Sequence, residues 1–201
     1  MVSIHFNGRQ IMKRFFWPLF LLAICAFSGA TALHAQSSDN TKTRDLPSTV
    51  AKLSLPAVAA DQSMTSIIAA VTTSAIDPKN KLVGFQGDFT FDERVVTFQS
   101  PPVQRAGITA GNWNVSGNVL PGPGPMRTVR VSAFASDFAP LKGSGTLFEL
   151  RMTKVSKTAQ NTQLIWAAPP DHFFFIDADL NSQNPGSAES GKIATTSGKR
   201  K

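Results

Sequence analysis

The residue types that most often do chemistry in proteins are few and widely spaced in this sequence. Asp92 and Glu93 are adjacent carboxylates, whereas a glycoside hydrolase needs two carboxyl groups set across a cleft at a defined separation. Neighbouring side chains on a strand point to opposite faces of a sheet. The pair therefore favours a turn at a strand end, in which Asp92 accepts backbone hydrogen bonds.

His172 is the one histidine beyond the first 35 residues, and Cys25 is the only cysteine. A histidine-based zinc site needs further ligands that this chain does not easily provide. A serine hydrolase of the Gly-x-Ser-x-Gly kind places its serine on a turn that opens a helix. The one similar stretch, Gly143-Ser144-Gly145, instead precedes a strand pattern. The sequence predicts a protein that is not an enzyme.

One short segment has part of the spacing of a calcium loop. Asp177, Asp179 and Asn181 match the first three ligand positions of an EF-hand loop. The sixth position should be glycine and is Ser182, and the twelfth should be glutamate and is Ala188. The mismatches favour an acidic turn that solvates a strand end, and we expect no cofactor.

The N-terminal region has the three parts of a secretory signal peptide. Lys13 and Arg14 precede an apolar block at residues 15–27, and small residues follow it. The block is short for a membrane span, so we interpret residues 12–35 as a cleaved signal peptide. The protein is expected to be secreted, extracellular, periplasmic or on the cell surface, and not held in the membrane after cleavage.

The leader also sets the expected boundaries of the chain. Cleavage could follow Ala32 or Ala35, and residues 1–11 are interpreted as a start-site extension. The polar stretch at residues 36–49 is predicted to be a disordered lead-in, and residues 197–201 a basic tail.

The charge of the chain does not name a partner. The net charge is +7, and three basic residues and no acidic residue lie within residues 1–35, so the rest carries 17 basic and 13 acidic residues, or +4. No basic stripe interleaved with aromatic residues is present, and we expect no nucleic-acid partner.

Beyond residue 49 the sequence has the pattern of a β protein. Short runs rich in Val, Ile, Phe, Thr and Leu alternate with Gly, Pro, Asn and Asp, and helical periodicity is not sustained. The pattern favours one all-β domain over residues 50–196, with about ten short strands that form a β-sandwich or a jelly roll. The candidate strands are residues 51–55, 64–73, 82–91, 95–99, 112–119, 128–136, 146–154, 163–167, 172–176 and 192–195.

Three stretches interrupt this pattern. Pro101 and Pro102 are predicted to end a strand, and the prolines and glycines of residues 121–125 to form a loop. Gly143 and Gly145 are predicted to lie in a loop before a core strand.

The clearest strand is Leu-Val-Gly-Phe-Gln-Gly-Asp-Phe-Thr-Phe, residues 82–91. Apolar residues, beginning with Val83 and Phe85, fall on one face. A period of two with one apolar face means that one side packs against a second sheet and the other meets water or a partner. Gln86, Asp88 and Thr90 fall on the outward face, and we predict that they bind the partner.

Exposed aromatic residues could form a platform for sugar rings. The candidates are Trp113, Trp166 and the run Phe173 to Phe175. A sandwich of this size buries most of its aromatic residues. The core interpretation is therefore favoured for them.

Several segments together resemble the cohesin family. They are LVGFQGDFTFDERVVTF, GNWNVSGN, VRVSAFA, PLKGSGTLFELRM and FFFIDADLNSQNPGSAESGKI, in this order, over residues 52–196. The resemblance implies a nine-stranded jelly roll, related in fold to the carbohydrate-binding modules of cellulases, and a non-catalytic role. Cohesins of cellulosomes bind calcium-loaded dockerins through one sheet face. Gly84 and Gln86 stand here where dockerin-binding cohesins present Asn and Asp.

The residues and the resemblance give one functional expectation and one alternative. The expectation is a secreted, non-catalytic module that binds a protein, dockerin-like or from the cell envelope, or a polysaccharide, in extracellular polysaccharide degradation. The alternative is a structural accessory of an envelope secretion or pilus apparatus.

Overall fold

A computed structural model describes residues 50–61, 63–158 and 160–196. Within these ranges no helix has the length and apolar character needed to span a membrane. Four sequence predictions concern residues outside the described ranges: the extension at 1–11, the signal peptide at 12–35, the lead-in at 36–49 and the tail at 197–201.

The described residues form strands joined by turns and by two short 3-10 helices at Pro78–Asn80 and Gly107–Thr109. The strands are β1 (Leu53–Ser54), β2 (Ala57–Ala60), β3 (Ser66–Ile76), β4 (Leu82–Asp92), β5 (Val96–Arg105), β6 (Trp113–Leu120), β7 (Met126–Ala135), β8 (Gly143–Lys154), β9 (Gln160–Trp166), β10 (Phe174–Asp177), β11 (Ser182–Gln183), β12 (Ala188–Glu189) and β13 (Gly191–Thr195).

Two sheets pack face to face, which confirms the predicted β-sandwich. The first sheet has the order β12-β1-β3-β8-β5. In the second, β4 is central: it pairs along one edge with β7, which pairs with β6. Along its other edge β4 pairs first with β10 and then with β9. Beyond these, β10 pairs with β11, and β9 leads through β13 to β2.

Aromatic rings fill the space between the sheets. Phe85 of β4 and Phe148 of β8 are fully buried, and their ring centroids are 5.7 Å apart across the sandwich. The predicted inward residues Phe85, Phe89 and Phe91 on β4, and Phe148, Leu150 and Met152 on β8, are buried in the core. Val83, also predicted to face inward, is buried but lies outside the core cluster, to which its neighbour Leu82 belongs instead. One face of β4 is therefore committed to the core, and the opposite face is left outward.

The prediction that Pro101 and Pro102 end a strand is wrong. β5 continues through both prolines to Arg105, and its pairing with β8 shifts register between Phe98 and Val103. β5 lies at the edge of its sheet, where a residue without an N–H does not break the ladder. An irregular edge strand accommodates what an interior strand would not.

The loop predicted at Gly143 and Gly145 is also wrong in part. Both residues belong to β8, where Gly145 pairs with Thr73 and Gly143 with Ile76, with a register shift between these pairs. The φ angle is 85° at Gly143 and 116° at Gly145, in the region that favours glycine. The glycines therefore form an irregular beginning of the core strand.

Candidate binding face

The outward surface of β4 and its two neighbours is arranged in rows across the sheet. Gly84 lies between Phe134 of β7 and Ile176 of β10, and Gln86 lies between Ser132 and Phe174 in the next row. We name this surface the candidate face; its residues are Gly84, Gln86, Asp88, Thr90, Arg130, Ser132, Phe134, Phe174 and Ile176.

The three predicted binding residues lie on this face but differ in accessibility. Gln86 is exposed and Thr90 is half-buried. Asp88 is only 4% exposed, because Arg130 covers it: Nε of Arg130 is 2.9 Å from Oδ1 of Asp88, and Nη2 is 2.7 Å from Oδ2. Arg130 also contacts Asp171 at 3.2 Å. Gln86 is thus the predicted residue most available to a partner.

An apolar groove, which the sequence alone did not reveal, adjoins Gln86. We name it the Gly84 groove; it has a volume of about 230 Å³, and its lining residues are Val83, Gly84, Ala133, Phe134, Ala135, Ser136, Phe138, Ile176 and Leu180. Phe134, Phe138 and Leu180 are 59%, 76% and 80% exposed. The sequence could have indicated the exposure of Phe134, because this residue holds an outward position in a strand whose alternate residues are buried.

Phe138 is presented by a turn that an aspartate holds. It has a positive φ of 57°, which is uncommon for a bulky residue. Asp137 accepts hydrogen bonds from the backbone N–H of Ala139 at 3.0 Å and from the side-chain amide of Asn112 at 2.9 Å. These contacts fix the turn and leave the Phe138 ring in solvent.

Leu180 is presented in the same manner by Asp177. Its φ is 65°, and its N–H donates to the carbonyl of Asp177 at 3.0 Å. The buried carboxylate of Asp177 accepts from the backbone N–H groups of Asp179 and Asn181 at 3.0 and 2.9 Å, and from the side chain of Gln183 at 2.9 Å.

This arrangement also shows how the residues of the calcium-like spacing are used. Asp177 is engaged by N–H donors, and Asn181 directs its own side-chain amide, a donor, toward it at 3.3 Å. Within the described ranges, no group of three or more His, Cys, Asp or Glu is placed to hold a metal ion. In the structure these residues form a hydrogen-bonded turn.

Because Asp137 and Asp177 hold their turns through ionised carboxylates, we expect the protein to lose stability in acid. The pKa of Asp137 is lowered from 3.8, chiefly by the hydrogen bond from Asn112, and that of Asp177 chiefly by the one from Gln183. A carboxyl group whose pKa is lower in the folded state than in the unfolded state stabilises the fold at pH values above its unfolded-state pKa. This stabilisation is lost as the pH falls through the folded-state pKa. We expect the free energy of unfolding to fall as the pH drops below about 5, and to go on falling as the pH passes through the lowered pKa values of the two carboxyl groups.

Urea unfolding across this pH range checks the prediction. In Asp177→Asn the fall should be smaller, because asparagine has no carboxylate to protonate. An unchanged pH dependence in this variant would show that Asp177 does not stabilise the turn through its charge.

The residues considered for catalysis each have their own partner. Asp92 accepts from the backbone N–H of Arg94 at 2.9 Å and also pairs with the guanidinium of Arg94, which confirms the predicted turn. Glu93 pairs with Arg127, and Nε2 of His172 lies 2.9 Å from Oδ1 of Asn184.

The aromatic residues considered for sugar stacking belong mainly to the core, as predicted. Trp113, Phe173 and Phe175 are buried. Trp166 is half-buried and packs against Phe89 and Phe173, with centroid distances of 5.5 and 5.1 Å. Phe174 alone of this set lies half-buried on the candidate face.

Comparison with known proteins gives structural matches but no sequence matches. No family model and no curated protein sequence matches the chain. A non-cellulosomal cohesin from the hyperthermophilic archaeon Archaeoglobus fulgidus is similar with a TM-score of 0.52 at 17% identity, over 74% of this chain and 91% of that one.

Two bacterial structures resemble this chain to a similar extent. A chain of a type I cohesin–dockerin complex from Clostridium thermocellum matches with a TM-score of 0.57 at 14% identity, over 73% of this chain and 99% of that one. A cohesin module from a Clostridium perfringens family 33 glycoside hydrolase matches with a TM-score of 0.55 at 8% identity, over 75% and 99%. At identities this low the structural similarity shows the fold alone: the described domain is a β-sandwich with the fold of cohesin modules.

Proposed function

We propose that the chain is a secreted, non-catalytic module that docks a protein partner on the candidate face. The observation that carries the proposal is the exposure of Phe134 beside Gln86 on the outward face of the sheet. Apolar groups with adjacent polar groups are typical of protein interfaces. A sheet whose other side is fully packed provides a rigid base for such a surface.

The comparisons support this function by their fold and by what some of the similar proteins bind. The Clostridium thermocellum structure is a complex with a dockerin. The C. perfringens cohesin belongs to a family 33 glycoside hydrolase, in keeping with a role beside glycoside hydrolases. A protein is favoured over a polysaccharide as the direct ligand, because Trp113, Phe173 and Phe175 are buried in the core.

Gln86→Arg tests the face. The larger charged side chain should lower the affinity for the partner, captured from secreted proteins of the source organism and purified, by about 30-fold or more, as for a central interface residue. Titration calorimetry measures the change. Thr72→Arg is the matched control, because Thr72 is exposed on β3 of the opposite sheet.

Two outcomes of this binding experiment would contradict docking on the candidate face. Loss of binding in Thr72→Arg together with full binding in Gln86→Arg would move the site to the other sheet. Full binding in both variants would remove the sheet faces from consideration.

A further inference from the structure

We propose that the Gly84 groove is an anchor pocket that receives one apolar side chain, of the leucine, isoleucine or phenylalanine class, from the protein partner. The inference rests on the proposed function, since it names what the partner inserts. A partner that contacts this strand only through polar groups would leave the groove empty.

The size and lining of the groove fit a single side chain. Its volume of about 230 Å³ lies below the roughly 300–1,000 Å³ of pockets for small molecules and cofactors. Protein interfaces instead place aliphatic or aromatic anchors in small, well-packed pockets. The groove exists because Gly84 has no side chain: a Cβ there would lie 3.1 Å from the carbonyl oxygen of Ala133 and 3.4 Å from Cβ of Ile176.

The two turns beside the groove carry residues that folding alone does not favour. Phe138 and Leu180 combine a positive φ with high exposure. Glycine or asparagine would adopt this backbone at lower cost and would expose less apolar surface. The two residues come from separate loops, yet both line the same groove. At one surface, two bulky apolar residues thus adopt a backbone conformation that disfavours them and gain no packing in return. Such a departure from local conformational preference points to a binding role.

The surroundings of the groove indicate which second group the partner brings. Gln86 and Ser132 form a polar rim beside it. Farther along β4, the carboxylates of Asp88 and Asp171 face one guanidinium, that of Arg130. Two negative charges against one positive charge favour a partner with a basic side chain near its apolar anchor.

A titration with small probes tests the anchor pocket without the partner. The probes are N-acetyl-leucinamide and N-acetyl-phenylalaninamide, with N-acetyl-glutaminamide and cellobiose as comparisons, added to the ¹⁵N-labelled exported protein. We expect the two apolar amides to shift the backbone resonances of Gly84, Phe134 and Leu180, with saturation at roughly millimolar concentration. The glutamine amide and the sugar should not.

Two variants remove the pocket in different ways. Gly84→Val fills the floor and should abolish the shifts. Gly111→Val is the matched control, because a Cβ at Gly111 would have no atom within 4 Å other than those of its own residue and its two chain neighbours. Leu180→Asn removes one wall and should weaken apolar binding about tenfold or more. Its thermal midpoint should stay equal or rise, because asparagine tolerates a positive φ.

The outcomes separate this inference from the proposed function. Apolar probes that do not bind, that shift residues elsewhere, or that still bind to Gly84→Val would overturn the anchor pocket. If the partner tolerates Gly84→Val and is lost with Gln86→Arg, the docking face stands and the anchor is wrong. If the partner tolerates both changes, both proposals fail.

Discussion

Replacing Phe85 with alanine is expected to lower the free energy of unfolding by about 3–5 kcal/mol, as for a large buried aromatic residue. The Phe85 ring is fully buried and lies 5.7 Å from the rings of both Phe148 and Phe173 and 6.0 Å from that of Trp113. These neighbours come from the opposite sheet and from both sides of β4. Rings held in this way cannot all move to fill the cavity, so most of the lost contact is not recovered.

Urea unfolding monitored by tryptophan fluorescence measures the change. Phe134→Ala is the matched control, since it removes the same side chain from the outward face and should cost less than about 1 kcal/mol. An equal cost for the two substitutions would mean that the inward and outward faces of this sheet are wrongly assigned.

Gly87→Ala is expected to destabilise the fold by about 3 kcal/mol, at the upper end of what overpacking usually costs. The added Cβ would lie 2.6 Å from Cα of Phe173 and 2.9 Å from its Cβ. The adjacent backbone is fixed on both sides, because Asp88 donates its N–H to the carbonyl of Asp171 at 3.0 Å and accepts at its own carbonyl from Ala167 at 2.8 Å. The strand and its neighbour must therefore separate.

The thermal midpoint of Gly87→Ala, compared with that of Gly111→Ala, checks this prediction. Gly111 has open space where its side chain would be, so alanine there should change stability by less than about 0.5 kcal/mol. A neutral effect at both positions would show that the segment containing Phe173 does not pack on β4 as described.

Much of the fold could be predicted because strands alternate with a period of two. The apolar positions of residues 82–91 indicated which face of β4 is buried, and the same reasoning placed Phe148, Leu150 and Met152 inward. The edge strand β5 was shortened in the prediction because proline is normally a strand breaker. Whether a strand lies at an edge depends on the complete sheet order, which local sequence does not contain.

The candidate site was predicted only in part. Alternation correctly placed Asp88 on the outward side of β4, but the long side chain of Arg130 covers it from the neighbouring strand. The Gly84 groove combines residues about 50 and 90 positions apart, and only the register of β4 with β7 and β10 brings Phe134 and Ile176 beside Gly84. A single sequence does not specify that register.

Cross-saturation NMR on the complex with the purified partner identifies the sheet face that the partner covers. Docking on the candidate face should let saturation transferred from the partner attenuate the resonances of Gln86, Ser132, Phe134 and Leu180, while those of Thr72 and Arg151 on the opposite sheet keep their intensity. Attenuation centred on Thr72 and Arg151, with the four predicted residues unaffected, would contradict it.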